Sequence, residues 1–294
     1  MKRLLVNAVH SFFQVRPFES ILRSAVKGKD ITSALVKFIP PNHVYDKKVQ
    51  RIARDGQLTL FANLYDYNDW KAYWGVREIE RERLYALASS AKTVVDIGVN
   101  NGWVLLNLAR IAQSNKGFVY GFEPFPPTYQ RCIRNIEASK ISNCKVFNMG
   151  CSDKKGELVM ISEIATNSGQ NRIVGSGELS DSLPTVAVEV VTLDEQLSSA
   201  GPIDLIKIDV EGFEFHVLKG AKAILERDKP DLFIEIDDKL LKANGTTARE
   251  LLLYLQNEHN YHLFHATSGA SIKDFDNLNN CHMDVICSTS SSVV

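Results

Sequence analysis

Val94-Val95-Asp96-Ile97-Gly98-Val99-Asn100-Asn101-Gly102 decides the fold. The run 93–97 is short, apolar and β-branched, as in a strand covered on both faces of a parallel sheet. Gly98 and Gly102 bracket a tight turn, where backbone can come close to a ligand. A helix over 103–113 and a second strand over 118–123 follow. That strand ends in Glu123, twenty-one residues past Gly102, and a carboxylate there can hold both hydroxyls of a ribose. The order strand, glycine turn, helix, strand, carboxylate reads as a pocket for a nucleoside cofactor.

The spacing bears on which cofactor. A dinucleotide fingerprint needs G-x-G-x-x-G, its third glycine allowing close helix–strand packing. Here the middle glycine is Asn100, and Trp103 stands where the third would fall. An indole at that point argues against a pyrophosphate resting on the helix N-terminus. Asp96, two residues before the first glycine, suits a cationic group such as a sulfonium. The pattern favours S-adenosylmethionine over NAD. Each residue also has a plainer reading: the glycines could serve only the turn, Asn100 could tolerate left-handed backbone, and Glu123 could cap the helix near Pro126.

The second signature is Ile203-Asp204-Leu205-Ile206-Lys207-Ile208-Asp209-Val210-Glu211-Gly212-Phe213-Glu214. It reads as a buried strand that carries Lys207 inside it and ends in Asp209. Ligands of open α/β sheets bind beyond the carboxyl ends of the strands, so Asp209 and Glu211 point to the same crevice as the glycine turn. Charges around a buried strand end are costly unless paired or functional, so Lys207 is either a structural partner of a carboxylate or part of the chemistry.

Strands and helices alternate from Thr93 on. Strands are predicted at 93–97, 118–123, 144–149, 204–209 and 232–236, and helices at 103–113, 126–139, 214–226 and 246–259. Segments 157–162 and 185–192 alternate like edge strands around a polar loop at 163–184. Strands at 261–265 and 283–287 would close the sheet as an antiparallel hairpin. The fold class is α/β, with three parts: a mostly helical N-terminal extension (1–55), an aromatic-rich lid or lead-in segment (56–90) and the catalytic domain (91–290). In the extension, Leu4 to Phe13 and Phe18 to Val26 repeat at helical spacing, and Asp30 could cap a third short helix. The aromatics of 65–74 either line the pocket or pack a core.

A net charge of -1 argues against a general nucleic-acid binder. Residues 1–55, however, carry 11 Lys+Arg against 4 Asp+Glu, or +7, which leaves -8 on the remainder. The basic start is a solvated cap, or it touches an anionic membrane surface as a peripheral contact. Five cysteines, odd in number and without a C-x-x-C pair, suggest free thiols in a reducing cytoplasm. No apolar run is long enough to span a membrane. Oligomeric state cannot be read from these residues.

The two signatures together resemble the FkbM family of S-adenosylmethionine-dependent methyltransferases. The resemblance rests on Val95 to Gly102, on Tyr120-Gly121-Phe122-Glu123-Pro124, and on Cys151-Ser152-Asp153-Lys154-Lys155-Gly156. It continues through Val191-Thr192-Leu193-Asp194, through Asp204 to Glu214, and through Leu218-Lys219-Gly220-Ala221. These blocks run in family order over 93–236; Val99, where the family usually has Ala, is a departure. The resemblance implies a class I methyltransferase (Rossmann-like) fold, with a seven-stranded, mostly parallel sheet and one reversed strand. It implies O-methylation of a hydroxyl on a sugar, glycan or glycosylated natural product. By position, Gly98, Asn100 and Gly102 would lie against the methionine part of the cofactor, with Asp96 and Asn101 in the same binding set. Glu123 would bind the ribose, Asp153 would lie near the adenine, and Asp209 beside the methyl group.

In-line methyl transfer depends largely on positioning, and a sugar hydroxyl is a poor nucleophile that a base or metal should help. Asp209 is the first candidate, Glu235 at the end of the next strand the second, and Lys207 the third catalytic candidate. Asp209, Glu235 and Asp237 could alternatively hold Mg2+ through oxygen ligands. His216 and His262 carry weaker signals. Two other readings remain: an NAD(P)-linked oxidoreductase, and a catalytically inactive nucleoside-binding module.

Overall fold

The computed structural model describes residues 9–161, 172–174, 185–275 and 277–292. The start of the first predicted helix and most of the predicted loop 163–184 lie outside these residues.

At its centre is a seven-stranded sheet in the order β12-β13-β11-β10-β3-β4-β5. Its strands are β3 (Thr93–Ile97), β4 (Phe118–Phe122), β5 (Cys144–Phe147), β10 (Leu205–Ile208), β11 (Asp231–Asp237), β12 (His262–His265) and β13 (His282–Ser288). All pairs are parallel except those made by β13, which runs against both β11 and β12. This is the seven-stranded, mostly parallel arrangement with one reversed strand that the family resemblance implies. β10 sits between β3 and β11, so the glycine turn after β3, Asp209 after β10 and Glu235 in β11 come to one edge. The strands are buried because helices cover both faces. Helices α4 (Trp103–Gln113) and α5 (Pro126–Ser139) follow β3 and β4 and match the predicted spans.

The predicted helix 214–226 is broken into α7 (Glu214–Lys219) and α8 (Lys222–Arg227). A Cβ on Gly220 would lie 1.9 Å from the Ser152 carbonyl oxygen, so the two backbones touch at the break. Asp194 restarts it by accepting hydrogen bonds from the Ala223 and Ile224 amides at 2.9 and 3.0 Å. The Val191-Thr192-Leu193-Asp194 and Leu218-Lys219-Gly220-Ala221 blocks are therefore one structural joint.

The predicted edge strands belong to a separate four-stranded sheet, β6-β9-β7-β8. It is built from β6 (Gly150–Cys151), β7 (Gly156–Ile161), β8 (Arg172–Val174) and β9 (Thr185–Val191), and β8 falls inside the stretch read as loop.

The N-terminal reading needs correction too. Helix α1 (Arg16–Val26) is present, but β1 (Gln50–Asp55) pairs antiparallel with β2 (Leu58–Asn63). A division at 55/56 would cut this hairpin at its turn. Asp30 caps no regular helix; it accepts from the Thr32 amide in a tight turn. The hairpin edge docks on α5, where Asn135 and Ser139 accept hydrogen bonds from the Phe61 and Thr59 amides at 2.9 Å each. Helix α2 (Tyr67–Trp74) follows, started by Asp66, which accepts from the Asn68 and Asp69 amides. Glu19 of α1, 1% exposed, is held by Arg51 at 2.7 Å and the Tyr73 hydroxyl at 2.6 Å. That network joins α1, β1 and α2 around Trp74. Helix α3 (Ile79–Ala88) then leads into β3.

Candidate active site

A cavity of about 670 Å³ opens at the carboxyl ends of β3, β4, β10 and β11. The glycine turn forms one wall through Gly98, Val99, Asn100 and Asn101, with Trp103 beside them. Gly98, Asn100 and Gly102 all adopt positive φ, as the turn demands. The physical requirement for glycine, however, comes from protein rather than ligand. A Cβ on Gly98 would lie 1.8 Å from the Asp209 carbonyl oxygen, and one on Gly102 would lie 2.7 Å from Cys132 Sγ. Gly102 is absent from the cavity lining. Its part is to let α4 pack on α5.

Glu123 reaches the cavity from the end of β4 and is 6% exposed. Its Oε2 accepts from the Asn100 amide at 2.8 Å and its Oε1 from the Phe125 amide at 3.0 Å. Each oxygen keeps a lone pair for a further donor. Burial outweighs these two hydrogen bonds and pushes the carboxyl up to about 7.

Lys207 sits in the floor, 6% exposed. Its ammonium lies 3.2 Å from Asp96 Oδ1 and 3.1 Å from Asp209 Oδ2, and donates to the Gly98 carbonyl at 3.0 Å. Burial alone would lower its pKa, but Asp209 and Asp96 outweigh burial and hold the ammonium charged. Two carboxylates and one backbone carbonyl of the protein therefore surround the ammonium. Asp96 is fully buried and stands behind the turn, outside the cavity lining. The sequence expectation that Asp96 meets a cationic group of the cofactor is corrected: the cation beside it is the protein's own Lys207. Burial raises the Asp96 pKa and Lys207 opposes that rise.

Asp209 also shares a hydrogen bond with Glu235 of β11. The negative charge of Asp209, then burial, pushes Glu235 up to about 11, so Glu235 holds the proton of the pair. Burial opposes ionisation of Asp209, but Lys207 prevails and its pKa is lowered. Glu211, at the cavity lip, is pushed by burial and then by Asp209 to about 8.

Three sequence expectations change. Asp153 is not among the lining residues; its carboxylate lies 3.6 Å from His216 Nδ1. Asn101 lines the cavity, but its side chain turns away: Nδ2 donates to Asp69 of α2 at 2.6 Å and Oδ1 accepts from the Trp103 amide at 2.9 Å. Asp209, Glu235 and Asp237 do not form a magnesium-type donor set. Lys207 occupies one side of Asp209, and Asp237 starts α9 (Asp238–Ala243) by accepting from the Lys239 and Leu240 amides. Among the described residues no group of three or more His, Cys, Asp or Glu side chains is arranged to hold a metal ion.

The lining residues His282 and Asp284 carried no sequence signal. On reversed β13, Asp284 pairs across from Glu235 and His282 across from Asp237. The His282 ring lies 3.3 Å from both Glu235 and Asp237. Burial, then Asp209, pushes Asp284 up to about 6. His282 and Asp284 alternate on one strand, a signal that means something only once the partner strand is known. Tyr67 and Lys71 of α2 close the cavity from above, with Lys71 paired to Glu78, which also binds Arg81 at 2.6 Å. Of the aromatics in 65–74, Tyr67 lines the cavity, whereas Trp70, Tyr73 and Trp74 pack with the N-terminal segment.

A family model described as the methyltransferase FkbM domain matches residues 96–263. The 2-O-methyltransferase NoeI of Sinorhizobium fredii is 24% identical over 193 residues, covering 60% of this chain and 75% of that protein. The hexuronic acid methyltransferase AglP of Haloferax volcanii is 24% identical over 178 residues, covering 58% of this chain and 69% of that protein. The solved methyltransferase FkbM of Methylobacillus flagellatus aligns at a TM-score of 0.45 and 17% identity, over 67% of this chain and 44% of that one.

Proposed function

Because the chain belongs to the FkbM methyltransferase family, we propose that it transfers a methyl group from S-adenosylmethionine to a hydroxyl of a sugar or glycan. One observation carries this reading: a buried carboxylate with a free lone pair on each oxygen and a lysine-held acid pair face one cavity of about 670 Å³. The relatives named as a 2-O-methyltransferase and a hexuronic acid methyltransferase, the latter acting on a sugar acid, support the acceptor class.

The residues fit the cofactor. Glu123 would accept hydrogen bonds from two ribose hydroxyls while its other lone pairs hold the Asn100 and Phe125 amides. The turn at Gly98 to Asn100 would lie against the methionine part. Bound there, S-adenosylmethionine would supply a sulfonium methyl to an oxygen nucleophile. Asp209 would accept the hydrogen bond of the acceptor hydroxyl and take its proton as the oxygen forms its new bond. Glu235, protonated, would donate to Asp209 and fix its orientation. Lys207 is a positioning residue in this scheme: it keeps Asp209 ionised and ties it to the Gly98 carbonyl, so the two halves of the site cannot shift independently.

Titration calorimetry with S-adenosylmethionine, S-adenosylhomocysteine and NADH tests the cofactor, with binding of the two sulfur nucleosides and not of NADH expected. Absence of sulfur-nucleoside binding overturns the proposal. Uptake of labelled methyl by a panel of neutral and acidic glycans then identifies the acceptor.

A further inference from the structure

Eight of the ten large hydrophobic side chains exposed among the described residues fall between Phe12 and Val44. They are not scattered. On α1 the packed stripe is Glu19, Leu22 and Val26. At about 100° per residue, Phe18, Ile21 and Ala25 follow one another along the flank beside that stripe. Ile21 is 66% exposed. Phe12 stacks on Phe18 with ring centroids 3.8 Å apart, and Phe13 joins Phe12 at 5.3 Å to Phe38 at 6.4 Å. The result is a cluster of aromatic rings, Phe12, Phe13, Phe18 and Phe38, on a segment that also exposes Ile21, and contiguous exposed apolar side chains of this kind mark interaction surfaces.

The segment that carries it is basic, with Lys27 paired to Asp55 at 2.9 Å. Arg16, Lys27, Lys29, Lys37, Lys47 and Lys48 are exposed on the same segment. The exposed acids there, Asp30 and Asp46, accept hydrogen bonds from the Thr32 and Lys48 amides at 2.8 Å each. Residues 1–55 carry +7 against -8 for the remainder, so positive charge is concentrated in the N-terminal part of the chain. An apolar flank bordered by lysines and arginines has the chemistry of an interfacial lipid contact: the rings enter the acyl boundary while the cations meet anionic headgroups. No helix among the described residues is long and apolar enough to cross a membrane.

We infer that the Phe12–Phe18–Ile21–Phe38 surface and the basic residues around it seat this protein on an anionic lipid bilayer. Helix α2 links that surface to the active site. Trp70 Nε1 donates to the Pro40 carbonyl of the docking segment at 2.8 Å, while Tyr67 and Lys71 of the same helix line the cavity. A docked chain thus has a cavity-lining helix fastened to the segment that meets the lipid. A glycan carried on a lipid becomes an acceptor within reach; this last consequence rests on the sugar-methylating reading, whereas lipid binding does not.

Co-sedimentation of the full chain with vesicles tests the inference without any activity readout. Vesicles of phosphatidylcholine with about one third phosphatidylglycerol should pellet most of the protein at low salt, and pure phosphatidylcholine vesicles much less, the difference shrinking at high salt. The double substitution F18E/I21E should weaken binding tenfold or more, and so should K37E/K47E/K48E, which leaves the apolar flank untouched. Both variants should bind S-adenosylhomocysteine as the parent does, which separates loss of docking from loss of fold or of cofactor site. Failure of the parent chain to pellet with anionic vesicles at low salt overturns the inference. So does a dimer in light scattering that F18E/I21E converts to monomer, because the patch then belongs to a second copy of the chain.

Discussion

Asn101 Nδ2 lies 2.6 Å from Asp69 Oδ1, and both residues are buried. The bond ties the glycine turn to α2, an element more than thirty residues earlier in the chain. Asp69 is further held by the Asn63 amide at 2.8 Å and by Arg131 at 2.7 Å, while burial still raises its pKa. Asn135 Nδ2 donates to the Asn101 carbonyl at 2.8 Å from the other side. The turn is thus clamped between the N-terminal unit and α5.

Asn101→Ala should accordingly lower stability by about 1–3 kcal/mol, since it removes one of the hydrogen bonds that make a buried carboxylate tolerable. Asn101→Asp should cost more, because it sets a second carboxylate against Asp69. Urea unfolding monitored by tryptophan fluorescence measures both. Equal, negligible losses would mean that the clamp does not contribute to stability.

Lys207→Met should cost about 3–5 kcal/mol, the usual result of removing one partner of a buried ion pair. The reason is local: Asp96, fully buried, lies 3.2 Å from the Lys207 ammonium, which offsets its charge. Adding Asp96→Asn to Lys207→Met should recover part of the loss. A double variant no more stable than the single one would disprove the coupling.

Glu123→Ala and Asp209→Asn should separate binding from turnover. The first should weaken S-adenosylhomocysteine binding, since it deletes the group proposed to hold the ribose. The second should leave that affinity nearly intact and lower kcat by about 10²–10⁴, the usual worth of a positioned base. Calorimetry and steady-state kinetics on the two variants decide the matter; matching losses of affinity in both would contradict the assigned roles.

The Glu123 carboxyl, raised by burial to about 7, carries two pH consequences. Between its ordinary value near 4.5 and about 7 the folded state holds more of this proton than the unfolded state does. Stability from this group is therefore present at low pH and lost as pH rises through that window. Hydroxyl donors on a ribose favour the ionised form, so S-adenosylhomocysteine affinity should fall below about pH 7 with uptake of a proton by the free enzyme. Glu123→Gln should flatten this part of both profiles. An affinity that does not change from pH 6 to 8 in the parent chain would rule out ribose binding by the carboxylate.

Much of the site was legible because its signals are local. Asp209 and Glu235 end two adjacent strands, and Glu123 ends a third, so strand prediction alone brings them to one edge. Asp96 and Lys207 were legible as charges in apolar strands, but not as partners. Their Cα positions face each other across the β3–β10 pairing, and that register is a tertiary fact. Gly98 and Gly102 were read as making room for a ligand, whereas Asp209 and Cys132 are what a Cβ would strike. Short-range pattern says that a side chain must be absent; it does not say what replaces it.

The sequence by itself determined the alternation of strands and helices and the spans of α4 and α5. It also determined which carboxylates stand at strand ends, because hydrophobic period, glycine turns and strand-terminal acids are properties of consecutive residues. Tertiary structure decided what those groups meet. It paired Lys207 with Asp96 and Asp209, and turned Asn101 toward Asp69. It brought His282 and Asp284 of the reversed strand β13 into the cavity, and set residues 50–55 as a strand against 58–63. The physical reason is the same in each case: a buried charge or amide is defined by the partner that desolvates or pairs with it, and these partners come from segments whose distance along the chain carries no record of their contact.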